Sequence, residues 1–332
     1  MREEKRPTPK APRTRRRSPR RVFLYALLCV LGAFGGDSSA PIRLTRDGLD
    51  KQRPMWSPDG RRLTFACHEA GGTHIWQYVM DAGDPDSARR LTERKEPEFN
   101  GAFSPDGRRL LLTVVKLSGT QGNLDIAGLN ADGSDLQVLV GDRGGKLSHQ
   151  DWPAWSPDGR RFAFSSTHEG NQEIYLADVD GSHLVRLTQS PGLDTHPCWS
   201  PDGRTIAFAT DRWGGLELAS VQVDGSGLKR LTTSPGLDDY PAYSPDGSHL
   251  AFVSNRDGQY EIYLAEADGS HPVNLSRHPR RDTYPSWTPD GQGVTFVSDR
   301  DGGADLYTMP IGPYCWVLYT SDAADEMECV DG

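Results

Sequence analysis

"WSPDGRR" occupies Trp56–Arg62, and close copies of its Ser/Thr-Pro-Asp-Gly core begin at Ser57, Ser104, Ser156, Ser200, Ser244 and Thr288. Ser57-Pro58-Asp59-Gly60 has the residue order of a type I turn. Ser stands first, Pro second with φ already near the helical value, Asp third, and Gly fourth, where positive φ is easy. An aromatic residue precedes each copy, and runs such as "RRLTFA" and "RRFAFSS" follow, alternating as half-buried strands do. The phrase therefore predicts a hairpin connector between two β-strands.

Working outward, the copies are spaced by 47, 52, 44, 44 and 44 residues. Self-similarity at about 40–50 residues is the signature of a propeller blade array. The unit "YPAYSPDGSHLAFVSNRDGQYEIYLAEADGSHPVNLS" reads as four strands, "PAY", "HLAFVS", "EIYLAEA" and "PVNLS". The last two are joined by "ADGS", matched by "NADGS", "DVDGS" and "QVDGS", and Asp-Gly between strands is a strong hairpin signal. The expected fold is all-β: a six-bladed propeller of four-stranded antiparallel blades. With 36 Gly and 24 Pro, the composition suits a chain of many turns. No long segment of helical period argues for an α/β alternative.

Residues 1–21 carry ten Lys/Arg and two Glu, and Val22–Gly36 is an uncharged apolar run ahead of "DSSA". A basic stretch, a short apolar core and small residues predict an export signal over 1–40. "RRVFL" resembles a twin-arginine motif, and an uncleaved N-terminal anchor is the alternative. A charge of −9 overall, +8 in 1–21 and −1 in 22–40 leaves −16 for the body from Pro41. So acidic a body is repelled by phosphate backbones, which argues against nucleic acid as a partner. Cys67 and Cys198 fall in different blades and are expected as free thiols. Residues 313–332 break the repeat and are expected to form a disordered acidic tail or an artefact of a broken gene end, leaving 41–312 for the propeller.

The aromatic-SPDG phrase with its downstream "RLT" resembles the repeat of the TolB-type propellers, over Pro41–Gly312. The resemblance implies a six-bladed propeller in the periplasm or cell envelope, serving as a protein- or peptide-binding scaffold. The founding protein of that family carries a smaller α/β domain ahead of its propeller, which the resemblance does not reach. The repeat is also similar to propellers of prolyl-oligopeptidase-like enzymes and of some metal-dependent pectin lyases. An enzyme, either a metal-assisted polysaccharide lyase or the propeller of a truncated peptidase, is therefore the alternative.

Four sets of residues could carry chemistry. Asp59, Asp106, Asp158, Asp202, Asp246 and Asp290 are read as turn formers at separate blade edges. Arg212, Arg256 and Arg300 each precede an acid by five positions (Glu217, Glu261, Asp305), which predicts a loop-bracing ion pair within each blade. His68, His149, His168 and His196 would open on one face, yet no metal-ligand spacing links them, so no metal or other cofactor is expected. Finally, Arg53, Asn100, Trp152, His196, Tyr240 and Tyr284 stand just before the innermost strands. They would line the channel mouth opposite the "SPDG" face, as the site for a protein or peptide partner. No catalytic residue is evident. A monomer is expected, with membrane contact only through an uncleaved leader. The "RLT" strand also occurs at Arg43–Thr45, ahead of the first "SPDG", while the last blade ends without one. Ile42–Thr45 is therefore expected to complete the sixth blade beside Asp305–Met309, removing an open edge.

Overall fold

In the computed structural model, the described residues are 40–69, 74–118, 121–141 and 148–311; the expected leader and tail lie outside them. Among the described residues, 24 strands form six four-stranded antiparallel sheets with no helix. Blade 5 shows the plan, running from the inner strand Asp238–Tyr243 through His249–Ser254 and Glu261–Glu266 to the outer strand Val273–Asn274. Two boundaries differ from expectation: the inner strand begins before "PAY", and the outer strand shrinks to two residues. Short outer strands limit the unpaired edge each blade exposes.

The middle strands are buried on both faces because each blade is sandwiched between two others. Phe65, Phe164, Phe208, Phe252 and Phe296 repeat at one register position, all 2% exposed or less. Four of them face a tyrosine across the strand pair, as in Phe252 and Tyr263 with ring centroids 5.7 Å apart. Such cross-strand aromatic pairs are a principal source of sheet stability.

Each "SPDG" forms the predicted turn. The Gly60 N–H donates to the Ser57 carbonyl at 2.9 Å, and Gly60 has φ +69°. The Ser57 hydroxyl donates to Asp59 (2.7 Å) and accepts the Arg62 N–H (2.9 Å), while Asp59 also accepts the Arg61 N–H (3.1 Å). Thr288 makes the same bond to Asp290 at 2.6 Å. The turns are not at separate edges, as expected from sequence, but touch in a closed circle. A Cβ added at Gly107, Gly159, Gly203, Gly247, Gly291 or Gly60 would meet the turn proline of the preceding blade, the last of these closing on Pro289. The rings are close because each turn ends an inner strand beside the channel.

These turns make stability acid-sensitive. Asp106, Asp158, Asp202 and Asp246 are held below the usual carboxylate range chiefly by the Ser hydroxyl bond, Asp246 at about 2. Burial works to raise Asp59, but its Ser57 and backbone bonds leave it lowered too. A carboxylate whose folded pKa lies below its unfolded value stabilises above the unfolded value, near 3.8, and loses that contribution as pH falls through the folded value. Glu98 and Asp194, raised by burial, act in the opposite direction and are relieved on protonation. The lowered carboxylates, Asp305 and the "DGS" turn aspartates Asp132, Asp180, Asp224 and Asp268 among them, outnumber the two raised ones, so the melting temperature by circular dichroism should fall steadily from pH 4 to 2. A flat profile over that interval would contradict the turn chemistry.

The ring closes as predicted. Ile42–Arg43 pairs antiparallel with Asp305–Pro310 in the register Ile42↔Thr308 and Arg43↔Tyr307, so the N-terminal strand completes blade 6. Thr45 donates to Asp305 (2.7 Å) and accepts the Leu306 N–H (3.0 Å). The same threonine device recurs where Thr188 accepts from Ile174 N–H and Thr232 from Leu218 N–H, which explains the last letter of "RLT".

The expected loop ion pairs are corrected. Arg212, Arg256 and Arg300 do not pair with Glu217, Glu261 and Asp305 but with Asp194 (2.6 Å), Asp238 (3.0 Å) and Asp282 (2.9 Å), the first residues of the inner strands. The register gives the reason. Asp194 and Glu217 both lie opposite Thr210 but on its two sides, and Arg212 folds back over the inner side, donating to the Thr210 hydroxyl at 2.9 Å. The outer-side acids take the outer strand instead: Glu217 pairs with Arg230, Glu261 accepts from Asn274, and Asp305 pairs with Arg43.

Candidate functional site

Every inner strand carries an extra residue at its middle. In blade 5 the register steps from Asp239↔Val253 to Ala242↔Ala251, and the same shift occurs at the matching place in the other five blades. A β-bulge re-aims a side chain. Here the re-aimed residues are Arg53, Asn100, Trp152, His196, Tyr240 and Tyr284, with φ between 45° and 58°. Bulky residues rarely adopt the left-handed region, and strain of about 1–3 kcal/mol each persists only where the surroundings enforce it. The sequence reading placed these six before the inner strands. They sit within them, because the pairing resumes on both sides of the bulge.

Proline follows five of the six, at Pro54, Pro153, Pro197, Pro241 and Pro285. It lacks an N–H, and a bulge is one of the few strand sites that tolerates this. Blade 2 has Gly101 instead, whose N–H donates to the buried Gln77 side chain at 2.8 Å.

The six side chains meet in the channel. Trp152 and His196 stack edge-on at 4.2 Å, His196 and Tyr240 lie at 4.2 Å, and Tyr240 and Tyr284 at 4.6 Å. Trp152 also reaches across to Tyr284 at 6.2 Å, so the expected arc is instead a packed cluster. Polar bonds tie it to the following blades: Asn100 donates to Asp151 (2.8 Å), and His196 Nδ1 lies 2.5 Å from Asp239. Burial raises the Tyr240 hydroxyl far above its ordinary value, and the neighbouring Tyr284 and Asp239 add to the shift. Arg53 spans the channel, donating to the Asn100 carbonyl (2.9 Å) and the Pro153 carbonyl (2.6 Å), with its guanidinium 5.0 Å from the Trp152 ring centre.

A cavity of about 370 Å³ lies between this cluster and the "SPDG" turns. Its walls are the residues just ahead of the turns, Trp56, Phe103, Trp155, Trp199, Tyr243 and Trp287. Their repetition is visible in the amino-acid sequence as the aromatic of the "SPDG" phrase, but only as a strand residue and not as a cavity wall. Trp155, Trp199 and Trp287 donate their indole N–H to carbonyls of the preceding blade at 2.9–3.1 Å, and Trp56 donates to Thr295 (2.9 Å). These aromatics staple blade to blade. On the other side of the cluster, Tyr284 borders a smaller polar recess of about 200 Å³ with Asp50, Gln52, Arg281 and Thr283.

The histidines do not converge. His196 is in the cluster, whereas His68 lies beside Gln52 and Asp50, and His149 and His168 belong to the inner-strand and loop edges of blade 3. Among the described residues, no three His, Cys, Asp or Glu side chains are grouped to hold a metal ion. Cys67 and Cys198 are free thiols, both pushed up to about 11 by burial.

The geometry agrees with what this chain is similar to. A curated protein TolB homolog of Chlorobium luteolum is 31% identical over 147 residues, covering 44% of this chain and 30% of that protein. A Tol-Pal system protein TolB of Thioalkalivibrio sulfidiphilus is 38% identical over 66 residues, 20% of this chain and 14% of that protein. The matches thus span less than a third of those relatives' lengths. Among solved structures, the putative TolB from Agrobacterium tumefaciens is 26% identical, covers 79% of this chain and 90% of its own, and superposes with a TM-score of 0.58. The TolB beta propeller domain family matches residues 144–240 and 231–314, and with six such blades closed by its own N-terminal strand the chain belongs to that family.

Proposed function

We propose that this chain is an exported scaffold that binds a protein or peptide partner in the cell envelope, through the channel cluster of Arg53, Asn100, Trp152, His196, Tyr240 and Tyr284. The observation that carries this reading is the left-handed bulge repeated in all six blades, which directs these side chains to one place. Backbone strain of that kind is typical of functional positions. The partner approaches from the face bearing the polar recess, where Tyr284 borders Asp50 and Arg281. Preformed strands present the cluster with little ordering on association. A body charge of −16 favours a partner of basic character. The basic and apolar leader supports export, and a relative named for the Tol-Pal system supports an envelope role.

The test begins with crosslinking in the envelope fraction to identify the partner. Tyr240→Ala and Tyr284→Ala should then weaken its capture by about 30-fold, as truncation of aromatic anchors does. Asp246→Ala, on the turn face, should leave capture unchanged. Equal losses from both faces, or none from the cluster in folded protein, would reduce these side chains to a channel plug.

A further inference from the structure

The cavity on the turn side of the cluster has a chemistry the partner reading does not use. Most of its aromatic wall offers no hydrogen bond, because all four wall indoles already donate to the protein and Phe103 has no polar atom, which leaves Tyr243 as the wall aromatic with a hydroxyl. Turn prolines Pro58, Pro105, Pro157, Pro245 and Pro289 form the rim and add no donor. At about 370 Å³ the space is at the lower end of small-ligand pockets, which run about 300–1,000 Å³. The body of any occupant must therefore be small and apolar.

One wall residue breaks this uniformity. Arg53 lines the cavity, yet among the described residues no carboxylate lies within 4.0 Å of its guanidinium. Its partners are two neutral carbonyls, which use two of the five guanidinium donors. Asp151, the carboxylate that acts on Arg53, takes Asn100, Thr113 and the Trp152 N–H on its Oδ1. The other cluster acid, Asp239, faces His196. Burial lowers Arg53 to about 10, only partly offset by Asp151. A cation so placed gains most from an anion brought into the same water-poor space.

We propose that the turn-side cavity binds a small apolar carboxylic acid, with the hydrocarbon against the tryptophan walls and the carboxylate on Arg53. This cavity lies on the other side of the cluster from the partner-facing recess and shares Arg53 and the cluster aromatics with the proposed partner site. Its test needs no partner and so can fail or hold independently of the scaffold reading.

The experiment titrates the full chain with octanoate, octanol and octyltrimethylammonium, followed by tryptophan fluorescence and calorimetry. Octanoate should bind one to one and about tenfold or more tighter than octanol, with the cation weakest, as expected for a charge-assisted contact. Arg53→Met should abolish the preference for the acid, and Arg53→Lys should retain part of it. Equal binding of the three probes, no octanoate binding to folded wild-type protein, or undiminished octanoate binding to Arg53→Met would each overturn the proposal. Arg53 also ties two inner strands together, so if Arg53→Met fails to fold, the probe series on wild-type protein decides alone.

Discussion

Asp305→Ala should lower the melting temperature by about 10 °C or more, and deleting residues 41–46 should lower it further. Asp305 is fully buried where the first and last described strands meet, and it receives Thr45 at 2.7 Å, Arg43 at 2.7 Å and Lys51 at 3.1 Å. Lys51 is itself 1% exposed and stands in the position where other inner strands carry Asp194, Asp238 and Asp282. Burial works to raise Asp305, but these three donors hold it below the usual carboxylate range. Removing it leaves a buried ammonium with the half-exposed Asp47 as its one remaining carboxylate partner and the Leu49 carbonyl at 3.2 Å. Breaking one side of a buried pair costs about 3–5 kcal/mol, and a domain of this size loses about 2–4 °C per kcal/mol. The deletion adds the loss of the edge strand and its bond from Leu44 N–H to the Leu306 carbonyl. An unchanged melting curve for the deletion would mean that the N-terminal strand does not close the ring.

Gly269→Ala should be the second most damaging change, well beyond that of a neighbouring glycine in the same blade. Gly269 belongs to the "ADGS" turn of blade 5 and has φ +85°; a Cβ there would fall inside the van der Waals shell of the Leu231 carbonyl, just past the outer strand Lys229–Arg230 of blade 4. Backbone cannot yield as a side-chain tip can, so the blades must part. The expected loss is about 3 kcal/mol or more, within the range of severe single substitutions. Gly258→Ala is the control, since its φ is +106° but nothing lies within 4 Å of the new atom. Its loss is conformational strain alone, about 1–2 kcal/mol. Chemical denaturation of both variants separates the two terms. Equal losses would show that blade contact at Gly269 contributes nothing.

The "SPDG" turns, the four-strand repeat, six blades and the N-terminal closing strand were legible in the amino-acid sequence because each rests on local rules. Turn chemistry acts within four residues, strand alternation within six, and the misplaced "RLT" at Arg43–Thr45 is visible as a count that fails to end where it began. Even the cluster was legible as a list, since Arg53, Trp152, His196, Tyr240 and Tyr284 each stand ahead of proline at one phase of the repeat. What their side chains do was not. The left-handed bulge depends on pairing with the second strand on both sides, so no window around Tyr240 reveals it. Arg256 chooses Asp238, 18 residues back, over Glu261, five residues on, because the sheet register puts the nearer acid on the wrong side of the strand. The indole staples and the carbonyl partners of Arg53 likewise exist only between blades, with partners 45 and 100 residues apart. Short-range sterics and the alternating pattern are properties of the chain and determined the propeller; ion-pair choice, strain and the cavity's chemistry depend on distances across blades, which only the closed ring sets.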